Sequence, residues 1–338
     1  MNKIANVENV VRSVDTLSRH PELYHYTNSK AFEGIITSKT LWYSHYSQMT
    51  DDKEIQLARG LLPAAVAPRM NGIVETFNRE IRRKWKRFGG GDQTARDLVN
   101  SLYGATYDGK APYSVMAPYL FSFSTHAHDT EFDRLHGIRS QWESYAGPEG
   151  FCLVFDAKEV ASMLKQEGNA RYWAWLMLEP VRYADMPIEE IFPELVAGLA
   201  ETLRQFLLGV REPEAAARDF LIGTTLLKAA EYKSEREVRI VAVPGTAKLA
   251  HYAAKEYPTD FDAKAPLPEI KTREDSNKNY VALFDGLGLQ LPIKRVIIGP
   301  GARRDERADF ARALCSSRRR GNNIAMRIGP YDTKRTAN

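Results

Sequence analysis

Residues 150–156, Gly-Phe-Cys-Leu-Val-Phe-Asp, form an almost continuously apolar run. A strand that is apolar on both of its faces is typical of the middle of a sheet that is covered on both sides. The sequence therefore predicts a central strand at this position, with the remaining elements arranged around it.

Shorter strand-like runs lie on both sides of this segment. They are residues 23–27, 41–44, 118–125, 180–183, 237–243, 293–300 and 323–328. Between them, helical spacing predicts helices at about 31–36, where Asn28-Ser29 offers an N-cap, and at about 54–88, 92–102, 157–231 and 304–315. Strands that alternate irregularly with helical blocks predict an α+β fold.

The predicted organisation is one catalytic domain over residues 21–330. A separate amphipathic helix precedes it at residues 1–20, and a flexible basic tail follows at 331–338. Helical insertions are expected at about 54–110 and 157–230.

Composition narrows the class of protein. The chain of 338 residues is 43% hydrophobic and 27% charged, which is ordinary for a globular protein, and its net charge is only +4. Its two cysteines, Cys152 and Cys315, lack CxxC spacing, which excludes a thiolate zinc site and a disulfide framework. With no signal-like or membrane-spanning apolar stretch, we expect a soluble cytoplasmic protein without a membrane partner.

Familiar catalytic signatures are absent from the sequence: it has no P-loop, GxGxxG, GxSxG, HExxH or kinase motif set. His126, His128 and Asp129 are close together, but a short HAHD segment without a second ligand cluster is a weak match to a metal site. The sequence therefore predicts no metal centre.

Four segments carry the candidate chemistry, in chain order. They are the strand with His25, the strand ending Phe121-Ser122-Phe123-Ser124-Thr125, the helix with Trp142 and Tyr145, and Glu235-Arg236-Glu237-Val238-Arg239. This order resembles the bacterial domain-of-unknown-function family DUF2971. That family shows a Tyr-His-Tyr-Thr start, here residues 24–27, a Trp-x-x-Tyr-Ala segment, here 142–146, and a Glu-x-Glu-x-Arg strand. The resemblance spans about residues 22–300.

The same order of His, aromatic-x-Ser-Thr, Tyr and Glu is similar to the split-sheet ADP-ribosyltransferases. This similarity implies a split mixed or antiparallel sheet with an NAD-binding cleft, NAD as substrate, and a macromolecular acceptor that is protein or nucleic acid. It also implies that His25 holds a ribose, that Tyr145 stacks on nicotinamide, and that Ser122 and Ser124 shape the pocket and orient the catalytic glutamate. The other residues expected to contact NAD are Tyr26, Thr27, Trp142 and Arg239.

The glutamate pair suits this reaction. Cleavage of the nicotinamide–ribose bond builds positive charge on the ribose, which a carboxylate stabilises. Period-two spacing in a strand would place Glu235, Glu237 and Arg239 on one face. We expect Glu237 to face the ribose and Glu235 to position or deprotonate the acceptor, with the two roles exchangeable. Arg236 between the carboxylates, and His25 in place of arginine, depart from the Glu-x-Glu subclass.

Structural roles also fit these residues. His25, Trp142 and Tyr145 could belong to the core, Ser122 and Ser124 could be small strand residues, and Glu235, Glu237 and Arg239 could form an ion-paired edge strand.

Two other functional classes fit as well. One is a binding module for a nucleotide or a partner, and the other is a nucleic-acid-processing enzyme with magnesium ligands from Asp51, Asp52, Glu54, Asp129 and the glutamate pair. The basic segments at 79–87 and 318–320 fit either a solvated face or an acidic partner. The family resemblance further suggests a toxin or phage-defence effector.

Overall fold

The computed structural model describes residues 18–48, 53–87, 89–107, 118–126, 128–210, 216–248, 250–251, 265–316 and 325–328. Residues 1–17 of the predicted N-terminal helix and the predicted tail lie outside the described residues, as does the basic segment 318–320. None of the described helices is long and apolar enough to span a bilayer.

The described chain is a mixture of strands and helices, as predicted. The strands are β1 (Glu22–Thr27), β2 (Leu41–His45), β3 (Tyr119–Ser124), β4 (Phe151–Asp156), β5 (Trp173–Pro180), β6 (Arg182–Ala184), β7 (Leu227–Ala229), β8 (Glu237–Pro244), β9 (Ile270–Thr272), β10 (Asn279–Leu283), β11 (Ile293–Ile298) and β12 (Ala325–Ile328). The α-helices are α1 (Ser29–Ser38), α2 (Lys53–Glu75), α3 (Arg79–Arg87), α4 (Gly90–Tyr107), α5 (Glu131–His136), α6 (Arg139–Gln141), α7 (Ala157–Ala170), α8 (Ile188–Ile191), α9 (Pro193–Leu207), α10 (Ala217–Leu226) and α11 (Arg304–Ser316). A π-helical segment, Trp142–Ala146, follows α6, and a 3₁₀ turn, Ala230–Glu235, precedes β8.

The main sheet is mostly antiparallel and branches at β3. One edge of β3 pairs along its whole length with β8, which in turn pairs with β5. The other edge pairs with β2 at Tyr119 and Leu120 and with β1 at Ser124, so the sheet splits between these two partners. Beyond β1 the order continues through β4 and β11 to β12, and beyond β2 it continues through β10 to β9.

Alternation along the strands separates the apolar residues of the two faces of the sheet. On one face Leu23, Phe121, Phe123 and Val238 belong to a core that α1, α7 and α11 cover. On the other face Leu120 and further residues of β5 and β8 pack against α2, α4, α9 and α10. The central strand β4 is buried from Phe151 to Phe155, as its uninterrupted apolar run predicts.

Helices occupy the first predicted insertion and part of the second. The first is formed by α2, α3 and α4. The second was predicted to be mainly helical over 157–230 with a strand at 180–183, and this is wrong for its middle. Residues 173–180 form β5, which lies beside β8, because the aromatic and apolar residues of this run are buried on both faces of the sheet.

An ion pair ties β1 to β11 across the intervening β4. Arg295 donates two hydrogen bonds to Glu22, at 2.7 and 2.8 Å, and a third to the Tyr24 hydroxyl at 2.8 Å. Burial opposes ionisation of Glu22, but Arg295 and Tyr24 lower the pKa of its carboxyl to about 2.

Glu22→Gln is therefore expected to lower the free energy of unfolding by about 1–3 kcal/mol at neutral pH. A carboxyl with a depressed pKa stabilises the fold above its unfolded pKa, and this contribution is lost as the pH falls through the folded value. The difference from wild type should thus shrink between about pH 4.5 and 2, as measured by urea unfolding over a pH series. The exposed Glu33→Gln is the matched control, and a pH-independent difference would contradict this assignment.

Candidate functional site

Strand register decides which predicted site residues share a face. In the antiparallel ladder Ser122 lies opposite Arg239, and Ser124 lies opposite both Glu237 and Tyr24. Directly opposed residues point to the same side of a sheet. Ser122, Ser124, Glu237 and Arg239 therefore share one face, as the period-two pattern of β8 predicts.

The carboxylate of Glu237 contacts three side chains. Its Oε1 accepts hydrogen bonds from the Ser122 hydroxyl and from Nε of Arg239, the latter at 2.8 Å. Its Oε2 lies 3.2 Å from Nζ of Lys228. The side chain is only 5% exposed, so its oxygens are directed toward protein groups and away from solvent.

Lys228 and Arg239 join Glu237 to two further carboxylates. Lys228 Nζ lies 3.2 Å from Glu54 and 2.5 Å from Glu235, and Arg239 donates to Glu54 at 2.9 Å. These five residues, here called the charged cluster, come from the first turn of α2, from β7, from the 3₁₀ turn and from β8. Three carboxylates face two cations, so the cluster carries one excess negative charge when all five are ionised.

Electrostatic interactions among Glu237, Lys228 and Arg239 keep all three side chains charged. Burial opposes ionisation of Glu237, but Arg239, Lys228 and Ser122 together lower the pKa of its carboxyl. Burial likewise opposes the charged forms of Lys228 and Arg239, and the carboxylates of Glu237 and Glu54 raise the pKa of both cations above its ordinary value.

Glu235 does not lie on β8, which corrects the prediction that three residues of one strand share a face. It ends the 3₁₀ turn, and Arg236 follows with a left-handed backbone, φ 46°. The Arg236 carbonyl oxygen accepts bonds from the backbone N–H and the hydroxyl of Thr125, at 3.0 and 3.1 Å, which fixes this change of direction. Glu235 consequently lies at the more exposed end of the cluster, with 15% of its side chain exposed against 5% for Glu237.

Tyr145 forms the mouth of the cluster. Its hydroxyl donates a hydrogen bond to Glu235, and its side chain is 49% exposed, against 15% for that of Glu235. Burial and then the hydrogen bond to Glu235 raise the pKa of the Tyr145 phenol, so the hydroxyl remains a donor. Tyr145 and Glu235 are therefore the members of this group that a ligand in solution can reach.

Trp142, which was predicted to contact NAD, lies on the inner side of the π-helical segment. Its ring is 1% exposed, packs edge-on against Tyr26 at 4.8 Å and donates from Nε1 to the His136 carbonyl oxygen. In an α-helix, residues three apart share a face, but the wider π-helical turn separates Trp142 from Tyr145. Trp142 therefore anchors the segment that presents Tyr145.

Four further residues that were predicted to contact NAD are buried. Arg239 is 1% exposed and contacts Glu237. Tyr26, Thr27 and Ser124 are also buried. The Tyr26 hydroxyl accepts from Ile138 N at 2.9 Å, and the Ser124 hydroxyl donates to Gln141 at 2.9 Å. These side chains hold the segments around the cluster in place.

His25, which was predicted to hold a ribose, lies on the opposite face of the sheet from Glu237. Its ring stacks on Phe121 at 4.4 Å, and Nδ1 donates to the Ser122 carbonyl oxygen at 3.1 Å. This carbonyl lies on β3 where the sheet splits between β1 and β2, and His25 takes the place of a strand partner there. Burial lowers the pKa of His25 to about 4, so the ring is neutral at physiological pH.

The residues considered as magnesium ligands do not form a ligand set in the described part of the chain. Asp51 and Asp52 lie outside the described residues, Glu54 faces Lys228 and Arg239, and Asp129 pairs with Arg236. His126 is buried against Tyr24, with ring centroids 3.8 Å apart. Across the described ranges, no three His, Cys, Asp or Glu side chains are grouped so as to hold a metal ion.

Sequence reasoning did not identify Lys228 as a site residue, and it considered Glu54 only as a metal ligand. Both come from separate elements, and no local motif connects them to the glutamate pair. A basic residue at 228, just ahead of the Glu-x-Glu segment within an otherwise apolar run, was the one available signal.

Residues 141–240 match the model of a family described as a protein of unknown function (DUF2971). The matched segment contains Tyr145 and four members of the charged cluster, whereas Glu54 and Ser122 lie outside it. The family resemblance predicted from the sequence is confirmed over these residues. No curated protein and no solved structure matches the chain.

Proposed function

We propose that the chain is an enzyme of the ADP-ribosyltransferase type, which cleaves NAD and transfers ADP-ribose to a macromolecule. The observation that carries the proposal is the arrangement of two glutamates at different depths in one cluster. Glu237 is buried and held by Ser122, Arg239 and Lys228, while Glu235 reaches the surface beside the exposed ring of Tyr145. A split sheet, branching at β3, supports an ADP-ribosyltransferase-like fold.

The chemistry of the cluster suits the reaction. The bond between the ribose C1′ and the nicotinamide nitrogen breaks, and its electron pair leaves with nicotinamide, which becomes neutral. Positive charge then develops on the ribose, and fixed carboxylates stabilise such charge most strongly where water is largely excluded. An acceptor nucleophile bonds to C1′ and gives up its proton to a carboxylate or to solvent. With water as acceptor the same step hydrolyses NAD.

Exposure assigns the roles of the two glutamates. Glu235 is the carboxylate that meets the ribose and the acceptor, because Glu237 has no oxygen directed toward solvent. Glu237 acts as a positioning residue by holding Lys228, which in turn holds Glu235. This gives Glu235 both of the roles that were expected from the sequence to be divided between the two glutamates, and it puts NAD against Tyr145, away from His25.

Tyr145 is proposed to stack on the nicotinamide ring. Aromatic stacking contributes about 0.5–1.5 kcal/mol beyond burial, so Tyr145→Ala is expected to raise KM for NAD about 2–12-fold. Tyr145→Phe keeps the ring and loses only the hydroxyl bonded to Glu235, so its KM should stay near the wild-type value. Steady-state kinetics of nicotinamide release would measure both. Equal KM values for the Ala and Phe variants would argue against stacking.

Following the ADP-ribose half of NAD distinguishes the possible reactions. Purified protein would be incubated with cell lysate and NAD labelled in the adenylate, and the label followed on protein, on nucleic acid and as free ADP-ribose. Label on a macromolecule identifies a transferase, and free ADP-ribose alone identifies a hydrolase. Binding of NAD without cleavage would favour the binding-module alternative, and strict dependence on Mg²⁺ would favour a metal-dependent enzyme. The toxin or antiviral role and the cytoplasmic location stay predictions.

A further inference from the structure

The excess positive charge of the chain is concentrated in the helical insertion formed by α2, α3 and α4. Residues 53–107 contain ten Lys and Arg but only five Asp and Glu, a net charge of +5. The whole chain carries +4, so the remainder is slightly negative. A local excess of this kind indicates a surface for a polyanion more directly than the net charge does.

Helix α3 provides the densest part of this surface. Six of its nine residues are basic and exposed: Arg79, Arg82, Arg83, Lys84, Lys86 and Arg87. Within the described part of the chain, only Lys84 of these pairs with a carboxylate, that of Glu80 at 3.4 Å. Trp85 points inward and donates to Asn71 at 3.3 Å. No large hydrophobic side chain of α3 is exposed, so its described surface suits an aqueous polyanion better than insertion into lipid.

A groove of about 550 Å³ runs between α2 and α4. It is lined by Gln56, Arg59, Gly60, Pro63, Ala64, Asp92, Arg96 and Asn100. The Arg59 guanidinium lies over the Tyr103 ring at 4.4 Å, and its Nε donates to Asn100 at 2.9 Å. Its described partners are neutral, so its charge remains available to a ligand phosphate.

Along the axis of α2, the residues that line the groove lie between Glu54 and the end of the helix that contacts α3. Glu54 is in the first turn of α2, Arg59 follows one turn later, and Asn71, the partner of Trp85, is near the other end of the helix. At 1.5 Å per residue, Glu54 and Asn71 are about 25 Å apart along the axis. Single-strand-binding folds cover about 4–16 nucleotides, and such strands follow a basic groove while their bases stack on aromatic and guanidinium planes. Arg59 above Tyr103 offers such a plane, which paired bases in a duplex do not reach.

We propose that α3 and the α2–α4 groove bind a single-stranded nucleic acid and lead it to the charged cluster as the acceptor of ADP-ribose. The acceptor role rests on the proposed function, whereas the binding role does not.

Binding would be tested without NAD, by fluorescence anisotropy of labelled 12-nucleotide DNA and RNA strands over a salt series. The triple variant Arg82→Gln/Arg83→Gln/Lys86→Gln and the double variant Arg59→Gln/Arg96→Gln are each expected to weaken binding at least 10-fold and to reduce its salt dependence. The matched control, Lys158→Gln/Lys165→Gln/Lys248→Gln, removes three exposed cations elsewhere and should bind nearly as wild type. Thermal melting would establish that all variants are folded.

Binding equal to wild type in both test variants would overturn the proposal, as would equal weakening by the control or tighter binding of a duplex. The acceptor role would be tested by adding adenylate-labelled NAD to the bound strand. Label on the strand that is lost in the triple variant supports the acceptor role. Nicotinamide release without label on the strand overturns this role and leaves the proposed function standing. Strand binding without any NAD cleavage overturns the proposed function and leaves the binding surface standing.

Discussion

Replacing Glu235 with glutamine is expected to lower the rate of nicotinamide release from NAD by about 10²–10³-fold. Glutamine keeps the shape of the side chain but removes the negative charge at the mouth of the charged cluster. The free energy of unfolding should change little, because Glu235 is the most exposed of the three carboxylates and Lys228 retains Glu54 and Glu237 as partners. Initial rates at saturating NAD, together with urea unfolding, would measure both quantities.

Two comparisons isolate the role of Glu235. Glu231→Gln, an exposed substitution in the same 3₁₀ turn, should retain wild-type activity. Glu237→Gln should lose stability as well as activity, because it removes the partner of Arg239 and Lys228. A Glu235→Gln variant with half the wild-type rate or more would contradict the assignment of Glu235 as the carboxylate that faces the ribose.

Replacing Arg239 with methionine is expected to lower the free energy of unfolding by about 3–5 kcal/mol. Arg239 is fully buried, and it donates to Glu237, to Glu54 and to the Thr225 carbonyl oxygen at 2.7–2.9 Å. Without the guanidinium, the buried carboxylates of Glu54 and Glu237 share Lys228 with Glu235, and the excess negative charge of the cluster rises from one to two. Chemical denaturation at neutral pH would measure this loss.

The cause of that loss can be separated from packing. Because the penalty comes from ionised carboxylates, adding Glu54→Gln to Arg239→Met should recover part of the lost stability. Arg82→Met, at an exposed position of α3, is the control for removal of an arginine and should have little effect. A loss below about 1 kcal/mol in Arg239→Met would contradict the description of Arg239 as the cation that holds the two buried carboxylates.

Local patterns predicted the elements that are themselves locally determined. The apolar run at 151–155 forms the central strand β4, and Asn28 caps α1 by accepting from Ala31 N at 2.9 Å. The strand that begins at Glu237 and the clustering of Ser122 with Glu237 also follow from period-two spacing and motif order. For β4, the cap of α1 and the strand that begins at Glu237, the deciding contacts lie within a few residues or along one strand. The contact of Ser122 with Glu237 instead joins β3 to β8, so there only the order of the motifs pointed to it.

Predictions failed where tertiary context overrides the local pattern. The sequence of residues 173–180 shows no alternation of polar and apolar residues, so it carries no strand signal. These residues form a strand because they pair with β8 in the interior of the protein. The strands β9 and β10 were not predicted in their charged surroundings, because pairing and not sequence pattern defines them: β10 pairs with β2, and β9 pairs with β10. The left-handed backbone of Arg236 removed Glu235 from the strand, and no sequence signal for it was present.

The functional site was harder to predict than the strands, because the face of the sheet on which a side chain lies depends on strand register. His25 and Glu237 both lie on strands, but only the pairing of Tyr24 with Ser124 and of Ser124 with Glu237 shows that they point to opposite sides. Lys228 and Glu54 reach the cluster from elements far apart in the chain. Long-range ion pairs of this kind have no spacing rule in a single sequence.

Release of nicotinamide from NAD by the purified wild-type protein, in EDTA and with cell lysate as the source of acceptor, tests the central claim most directly. We predict steady release without added metal, because carboxylate stabilisation of the ribose cation requires none. The absence of release under these conditions, or release only when a divalent cation is restored, would contradict the proposal that the charged cluster cleaves NAD.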